Sequence, residues 1–282
     1  MTHFLVLVVG DNVESQLAPY HEYECTGQLD KYVQRVSVLD ELRAAYAAHE
    51  CKMSFEEYVC EDHPDAMVQG GDEPADNWYH VVDDTGKIVD VIHRTNPNAK
   101  WDYWQVGGRY AEAYLGKDGN TICEGIKSDF DFDAERERIA KHYADKYDKV
   151  QQIINGKTWE PWEAVLKRFD VTDFSSDTLT EARSFYNNQE SVRAIRKDSD
   201  LCWERDIDDF LVSREDYIAR HRNNAIAPYA FVKDSEWHAQ GDMGWWACDR
   251  KTCTEDEWNE QFNQMLESLP DDTRLTVVDC HI

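Results

Sequence analysis

The segment from residue 96 to residue 110, NPNAKWDYWQVGGRY, carries the densest set of side chains that could bind a ligand. The candidate ligand-binding residues are Lys100, Trp101, Asp102, Trp104, Gly107, Gly108 and Arg109. Cations, a carboxylate and aromatic faces stand beside a glycine pair, which lets the backbone approach a ligand closely. The segment is therefore a candidate site for a nucleotide or another phosphate. The alternative is that the tryptophans pack in a core and the glycines only form a turn.

The C-terminal sequence holds a second candidate site, made of Asp279, Cys280 and His281. These residue types serve in acid–base and nucleophilic catalysis. Successive strand residues point to opposite faces, so Cys280 and His281 cannot act on each other and each needs another partner. If the first and last strands are antiparallel neighbours, His3 lies near both, and a Cys/His or metal site becomes possible. The alternative is a small buried cysteine and a histidine that caps the sheet edge.

The sequence contains none of the common catalytic motifs. It has no Walker loop, no GxGxxG fingerprint, no GxSxG and no HExxH. Its eight cysteines include no CxxC pair, so we expect free thiols and assign no metal ligand. The spacing of these residues therefore leaves open whether the chain catalyses a reaction, and the sequence does not identify a cofactor.

The charge balance is strongly acidic. Thirty Lys and Arg stand against 57 Asp and Glu, which gives a formal net charge of -27. Such a field repels a phosphate backbone, so we expect no direct nucleic-acid binding. Two interpretations remain open. The charge either keeps the protein soluble or forms an acidic surface that occupies a basic cleft on a partner.

An apolar run at each end of the chain predicts a β-strand. Residues 4–10 read FLVLVVG, as expected for a strand buried on both faces. Residues 274–282 read RLTVVDCHI and alternate more cleanly between apolar and polar side chains. We predict that these strands lie side by side in one sheet, which brings the two ends of the chain together.

Helical patterns fill much of the remaining sequence. Thr254 and Glu257 form a capping box before a helix that Pro270 ends, residues 78–92 predict a hairpin, and helical periodicity dominates residues 131–223. We predict an α+β fold, with a mainly antiparallel sheet that contains both termini, helices that cover it and a helical insertion. The predicted parts are residues 1–128 and 226–282 of one sheet domain, the latter as β-β-α-β, and an insertion from 129 to 225.

Nothing in the sequence indicates a membrane. The N-terminus, MTHFLVLVVGD, lacks the basic segment and cleavage site of a signal peptide. No apolar stretch approaches the roughly 18 residues that a membrane span requires. We expect a cytoplasmic protein, and the sequence does not indicate its oligomeric state.

Five segments spread over nearly the whole chain form a distinctive set. They are THFLVLVVGDNVESQLAPYHEYE, NPNAKWDYWQVGGRY, FLVSREDYIARHR, WHAQGDMGWW and LPDDTRLTVVDCHI. Together they resemble a family of proteins from tailed bacteriophages and prophages. The resemblance implies a phage origin and expression in the host cytoplasm, and it implies no reaction. The residues that it emphasises are Lys100, Trp101, Asp102, Gly107, Gly108, Arg109, Gly244, Trp245, Asp279, Cys280 and His281.

Two functional hypotheses follow. In the first, the chain is a phage accessory protein that binds a host protein through its acidic surface and inhibits or redirects it, for example a defence or nucleic-acid-processing enzyme. In the second, it is a small-molecule or nucleotide-binding enzyme or sequestering protein, in which residues 100–109 grip the ligand beside Asp279, Cys280 or His281. The two differ in whether Lys100, Arg109 and His281 converge on one site.

Overall fold

A computed structural model of the chain describes residues 2–22, 31–48, 53–62, 67–68, 78–171, 177–204, 206–243 and 249–282. The β-strands are β1 (His3–Val9), β2 (Gln34–Ser37), β3 (Met67–Val68), β4 (Trp78–Val82), β5 (Ile88–Thr95), β6 (Tyr103–Val106), β7 (Tyr114–Leu115), β8 (Thr121–Ile122), β9 (Glu124–Ile126), β10 (Ala230–Lys233), β11 (Glu236–Ala239), β12 (Gly241–Met243), β13 (Asp249–Lys251) and β14 (Arg274–His281). The α-helices are α1 (Val13–Leu17), α2 (Leu39–Ala48), α3 (Phe55–Asp62), α4 (Phe132–Ile154), α5 (Trp162–Arg168), α6 (Asp177–Asn188), α7 (Glu190–Lys197), α8 (Arg214–Asn223) and α9 (Glu255–Ser268).

The main sheet contains both terminal strands, which confirms the predicted α+β fold. Its strand order is β11-β10-β1-β14-β6, and β9 also pairs with β14. Strands β1 and β14 are antiparallel, with His3 opposite His281 and Val9 opposite Leu275. Strand β10 runs parallel to β1, so the sheet is mixed at that one pairing. The central position of β1 explains its nearly continuous apolar sequence, since both of its faces are covered.

Helix α9 covers one face of the main sheet. The Thr254–Glu257 capping box forms at its start, as the sequence predicts. Trp258 and Phe262 pack there in one cluster with Leu7 of β1 and Val277 of β14. A second cluster on the opposite face contains alternate residues of the same strands, which are Phe4, Val6, Val8, Val278 and Cys280. This alternation decides which side chains of β1 and β14 reach the site described below.

A smaller sheet, in the order β2-β5-β4-β3, contains the predicted hairpin. Strands β4 and β5 pair antiparallel, and the side chain of Asp83 accepts hydrogen bonds from the backbone N–H groups of Thr85 and Lys87 in their turn. Helices α2 and α3 contribute to its apolar cluster, around Val59 and Val91. Turn chemistry and apolar alternation therefore predict this element correctly.

The described residues from 132 to 223 contain helices, turns and no β-strand. Helices α4 to α8 share a core that includes Val150, Val165 and Ile195. Helix α4 ends at Ile154, where Asn155 takes a left-handed conformation with φ 49° and Gly156 follows with φ 74°. The division at residues 128 and 225 stays a prediction. None of the helices in the described ranges is long and apolar enough to span a membrane.

His221 of α8 makes this helical core sensitive to acid. Its ring stacks on Tyr143 of α4 at 3.5 Å, and its Nε2 atom is buried without a hydrogen-bond partner among the described residues. Burial, then the positive charges of Arg220 and Lys146, lower the pKa of His221 from 6.5 to about 4. Between these pH values the unfolded chain binds a proton that the folded chain does not, so stability falls as the pH falls from 6.5 to 4.

Replacing His221 with phenylalanine keeps a ring on Tyr143 and removes the titrating group. We expect the difference in unfolding free energy between the variant and the wild type to be about 1–2 kcal/mol more favourable to the variant at pH 4 than at pH 7. This amount is already reduced because the histidine is partly exposed to solvent. Urea unfolding of both proteins across this pH range measures the difference. Parallel pH dependences of the two proteins would show that His221 titrates normally in the folded state.

Candidate active site

The first and last strands bring a histidine and an aspartate together. His3 Nδ1 lies 2.8 Å from Asp279 Oδ1. Leu5 stands opposite Asp279 in the register, so His3 reaches across from a position two residues away on the same face. The Asp279 side chain is only 6% exposed and that of His3 19% exposed. A carboxylate oxygen accepts, so Nδ1–H of His3 donates this bond.

A second histidine–aspartate pair lies beside the first. His281 Nδ1 is 2.6 Å from Asp102 Oδ1, and the backbone N–H of Asp102 donates to the carbonyl of His281 at 2.9 Å. Strand β6 positions this pair, since Tyr103 is opposite His281 in its antiparallel register with β14. Asp102 is the residue that immediately precedes β6. The 96–110 segment and the C-terminal strand thus meet at one end of the main sheet.

The two imidazoles are direct neighbours. Their ring centroids are 4.8 Å apart, with planes at 64°. Each ring donates through Nδ1, which leaves Nε2 as the basic nitrogen of the neutral form. Within the described part of the chain, neither Nε2 takes part in a hydrogen bond, and neither is among the buried nitrogens that lack one. Both Nε2 atoms are therefore open to a ligand or to water.

A glycine turn holds the buried carboxylate from its other side. The backbone N–H of Arg109 donates to Asp279 Oδ2 at 3.0 Å. Gly107 and Gly108 both have positive φ, 69° and 51°. A Cβ atom added at Gly108 would lie 2.5 Å from Asp279 Cβ and 2.6 Å from Oδ2. The glycine pair thus serves a close approach of backbone to carboxylate within the protein.

Replacing Gly108 with alanine is expected to disrupt this end of the sheet. The new methyl group meets Asp279 in a backbone conformation that disfavours side chains, which costs about 2–4 kcal/mol of unfolding free energy. Chemical denaturation measures the loss. Gly119, which has φ 81° and open space around it, is the matched control, and its alanine variant should lose only the cost of the backbone conformation, about 1 kcal/mol. Equal losses in the two variants would argue against the close contact with Asp279.

Tyr110 adds a hydroxyl to the site that the sequence does not single out. Its hydroxyl donates to the backbone carbonyl of His3 at 3.0 Å. Burial raises the pKa of Tyr110, the charge of Asp279 raises it further, and the charge of Arg109 lowers it. The exposed Arg109 side chain therefore places its positive charge close enough to act on the Tyr110 hydroxyl. In the sequence, only the aromatic character of Tyr110 and its position next to Arg109 point to a role in the site.

Cys280 lies on the opposite face of the sheet from both histidines. It is fully buried beside Phe4 and Val278, and burial raises the pKa of its thiol. An inaccessible thiol with a raised pKa is a poor nucleophile. The assignment of Cys280 to the catalytic group therefore does not fit its position, and the alternative of a small buried residue does.

The tryptophans of the 96–110 segment also belong to that opposite face. Trp101 is 6% exposed, and its indole N–H donates to the carbonyl of Leu17 at 3.2 Å. Trp104 stands opposite Cys280 and packs at the edge of the same cluster. Both indoles thus serve the core, as the alternative interpretation has it.

The remaining candidates are only partly brought together. The backbone N–H of Lys100 donates to the carbonyl of Tyr20 at 2.7 Å, which ties this residue to the segment after α1. Gly244 and Trp245 lie outside the described residues. In the described ranges, no group of three or more His, Cys, Asp or Glu residues could hold a metal ion. The convergent set is therefore His3, Asp102, Gly108, Arg109, Tyr110, Asp279 and His281.

The arrangement is suited to proton transfer. Two imidazoles with fixed ring orientation offer one nitrogen each, and two carboxylates can stabilise the protonated rings. The backbone turn at Gly108 and Arg109 holds Asp279, the buried carboxylate of one pair. Comparison with protein-family models, curated proteins and solved structures gave no match for this chain.

Proposed function

We propose that the protein acts on a small molecule by general acid–base chemistry at the His3–Asp279 and His281–Asp102 pairs. The observation that carries this proposal is the double arrangement of Nδ1 atoms, 2.8 Å and 2.6 Å from carboxylate oxygens, on neighbouring rings. A surface histidine that only caps a sheet edge needs neither a buried carboxylate nor a second imidazole.

Two neighbouring imidazoles can act as general base and general acid in the same reaction. One ring accepts a proton at Nε2 while the other, already protonated, donates one. A carboxylate at Nδ1 stabilises whichever ring carries the positive charge. Asp279 is held by His3 and by the backbone of Arg109, so its pair is the more rigid of the two.

The surroundings favour a small ligand that carries one anionic group. The exposed Arg109 side chain offers a positive charge near Tyr110, whose hydroxyl donates to the backbone carbonyl of His3. Tyr103, on β6 opposite His281, is 57% exposed and offers an aromatic surface next to the imidazole rings. The net charge of -27 disfavours long polyanions, so a mononucleotide or another small phosphate is a better substrate than a nucleic acid.

The proposal is tested by finding a ligand and locating it. Small molecules released from the purified protein are identified by mass spectrometry, and a panel of nucleotides, sugar phosphates and organic acids is screened by thermal shift. The wild type should be stabilised by at least one compound and should convert it. His281→Asn and Asp102→Asn should lower the turnover by about 100-fold or more, in the range of a lost acid or base.

Cys280→Ser is the matched control, because the thiol is on the other face of the same strand. It should keep the turnover once its folding is verified. A ligand whose turnover survives in His281→Asn would count against the imidazole pair, and so would a wild type that no compound in the panel stabilises.

A second candidate function rests on the net charge. In this alternative the chain is a phage accessory protein that binds a basic surface of a host protein in the cytoplasm and inhibits or redirects it. Many cations in the helical region are already engaged by carboxylates, for example Lys146 with Glu204 at 2.6 Å and Arg214 with Asp148 at 2.8 Å. The excess of negative charge is therefore on the rest of the surface, where it can attract a basic surface of a partner.

Affinity capture from host lysate, infected or not, tests this alternative. It predicts one basic partner that is retained at physiological salt and is released as the salt concentration rises, because long-range attraction between charged surfaces is screened. Capture of no specific partner at physiological salt would contradict it.

A further inference from the structure

A cleft of about 520 Å³ lies between the start of α4 and the end of α9, away from the imidazole pair. Phe132 and Leu266 form an apolar part of its lining. Three cations, Lys117, Lys127 and Arg136, reach it from separate segments of the chain. Such a convergence stands out in a chain with a net charge of -27.

Two of these cations are held in place and mostly shielded from solvent. The Lys127 side chain is 18% exposed, and its Nζ donates to the carbonyl of Leu269 at 2.6 Å. The Arg136 side chain is 20% exposed, and Nη2 donates to Asn263 Oδ1 at 2.7 Å. Cations fixed in this way lose little conformational freedom when they bind an anion.

The carboxylates that pair with these two cations are exposed and replaceable. Asp271 is 85% exposed and 3.6 Å from Lys127 Nζ, and Asp133 is 89% exposed and 3.0 Å from Arg136 Nη1. Pairs that involve such exposed side chains contribute little to stability. A ligand anion can therefore take the place of either carboxylate while the cation stays where it is.

We propose that this cleft binds an organic monophosphate with a flat apolar portion, which is the chemistry of a nucleoside monophosphate. The phosphate is bound by Lys117, Lys127 and Arg136, and the apolar portion lies against Phe132 and Leu266. The volume falls within the range of small-molecule sites. Ser128, which also lines the cleft, adds a hydroxyl donor.

The acidic side chains of the same cleft limit the charge of the ligand. Asp133, Glu267 and Asp271 all line it beside the cations. One phosphate can displace the exposed carboxylates. Additional phosphate groups would be repelled by these carboxylates and by the net negative charge of the whole protein. A monophosphate is therefore expected to bind more tightly than the corresponding triphosphate.

Isothermal titration calorimetry with AMP, inorganic phosphate, adenosine and ATP tests the proposal. AMP should bind more tightly than each of the other three, and its affinity should fall as the salt concentration rises. Lys117→Gln and Arg136→Gln should each weaken AMP binding by about tenfold or more. Lys117 is 59% exposed, so its variant is expected to fold normally, which a melting curve verifies.

A control variant locates the binding. Lys141→Gln changes an exposed cation of the same helix outside the cleft lining, and it should bind AMP like the wild type. Loss of AMP binding in Lys141→Gln, unchanged binding in Lys117→Gln and Arg136→Gln, equal affinity for adenosine and AMP, or absence of AMP binding would each overturn the proposal.

Discussion

Replacing Asp279 with alanine is expected to lower the unfolding free energy by about 3 kcal/mol and to disable the imidazole pair. The variant leaves the backbone N–H of Arg109 and Nδ1–H of His3 without their acceptor in a mostly buried place. Buried donors without acceptors account for most of this cost. Urea unfolding measures the loss, and the turnover of an identified substrate measures the functional effect.

Asp279→Asn separates the two effects. The amide oxygen can still accept from Arg109, so we expect a smaller loss of stability, of about 1 kcal/mol. The amide nitrogen cannot accept from His3 Nδ1, and this changes the tautomer and orientation of that ring. A stable Asp279→Asn protein with wild-type turnover would show that the carboxylate does not act on His3.

Replacing Asp208 with alanine is expected to destabilise the helical region by about 3 kcal/mol. Asp208 Oδ1 accepts from the indole N–H of Trp159 and the hydroxyl of Tyr186, both at 2.6 Å, and Oδ2 accepts from the backbone N–H of Trp162 at 2.5 Å. Burial, followed by Asp208, raises the pKa of Tyr186. One carboxylate thus joins three segments of the helical core. Denaturation followed by tryptophan fluorescence measures the loss.

Tyr186→Phe is the matched control for Asp208→Ala. It removes one of the three donors and leaves the carboxylate bonded to Trp159 and Trp162, so a loss of about 1 kcal/mol is expected. Equal losses in the two variants would indicate that packing at Tyr186, and not the carboxylate, holds these segments together.

The terminal strands of the sheet can be predicted from sequence because their signal is local and strong. A continuous apolar run in β1 requires two covered faces, and a run of this kind near each end of the chain points to a shared sheet. The parallel pairing of β1 with β10 has no such signal. It depends on how the helical region returns the chain to the sheet, which no short segment encodes.

The site can be predicted only in part. The alternation of β14 separates Cys280 from His281, and pairing of the terminal strands brings in His3. The contact of His281 with Asp102 depends on the register between β14 and β6, which are far apart in the sequence. The aromatic-rich 96–110 segment was ambiguous for the same reason: only its neighbours in space decide which side chains face the core.

The helical core shows the same limit at Asp208. Its donors come from positions 159, 162 and 186, and helical periodicity describes the apolar faces but not a polar contact between separate helices. Nothing in the local sequence distinguishes Asp208 from the other acidic residues around it.

The protonation of the two imidazoles tests the central claim most directly. Long-range ¹H–¹⁵N correlation spectra of histidine-labelled protein at high pH report which nitrogen keeps its proton, and His3→Asn and His281→Asn identify the two signals. We predict that both rings keep the proton on Nδ1, and that Asp279→Asn and Asp102→Asn each remove this preference in the ring they contact. A proton on Nε2 of either ring in the wild type would contradict the paired acid–base site.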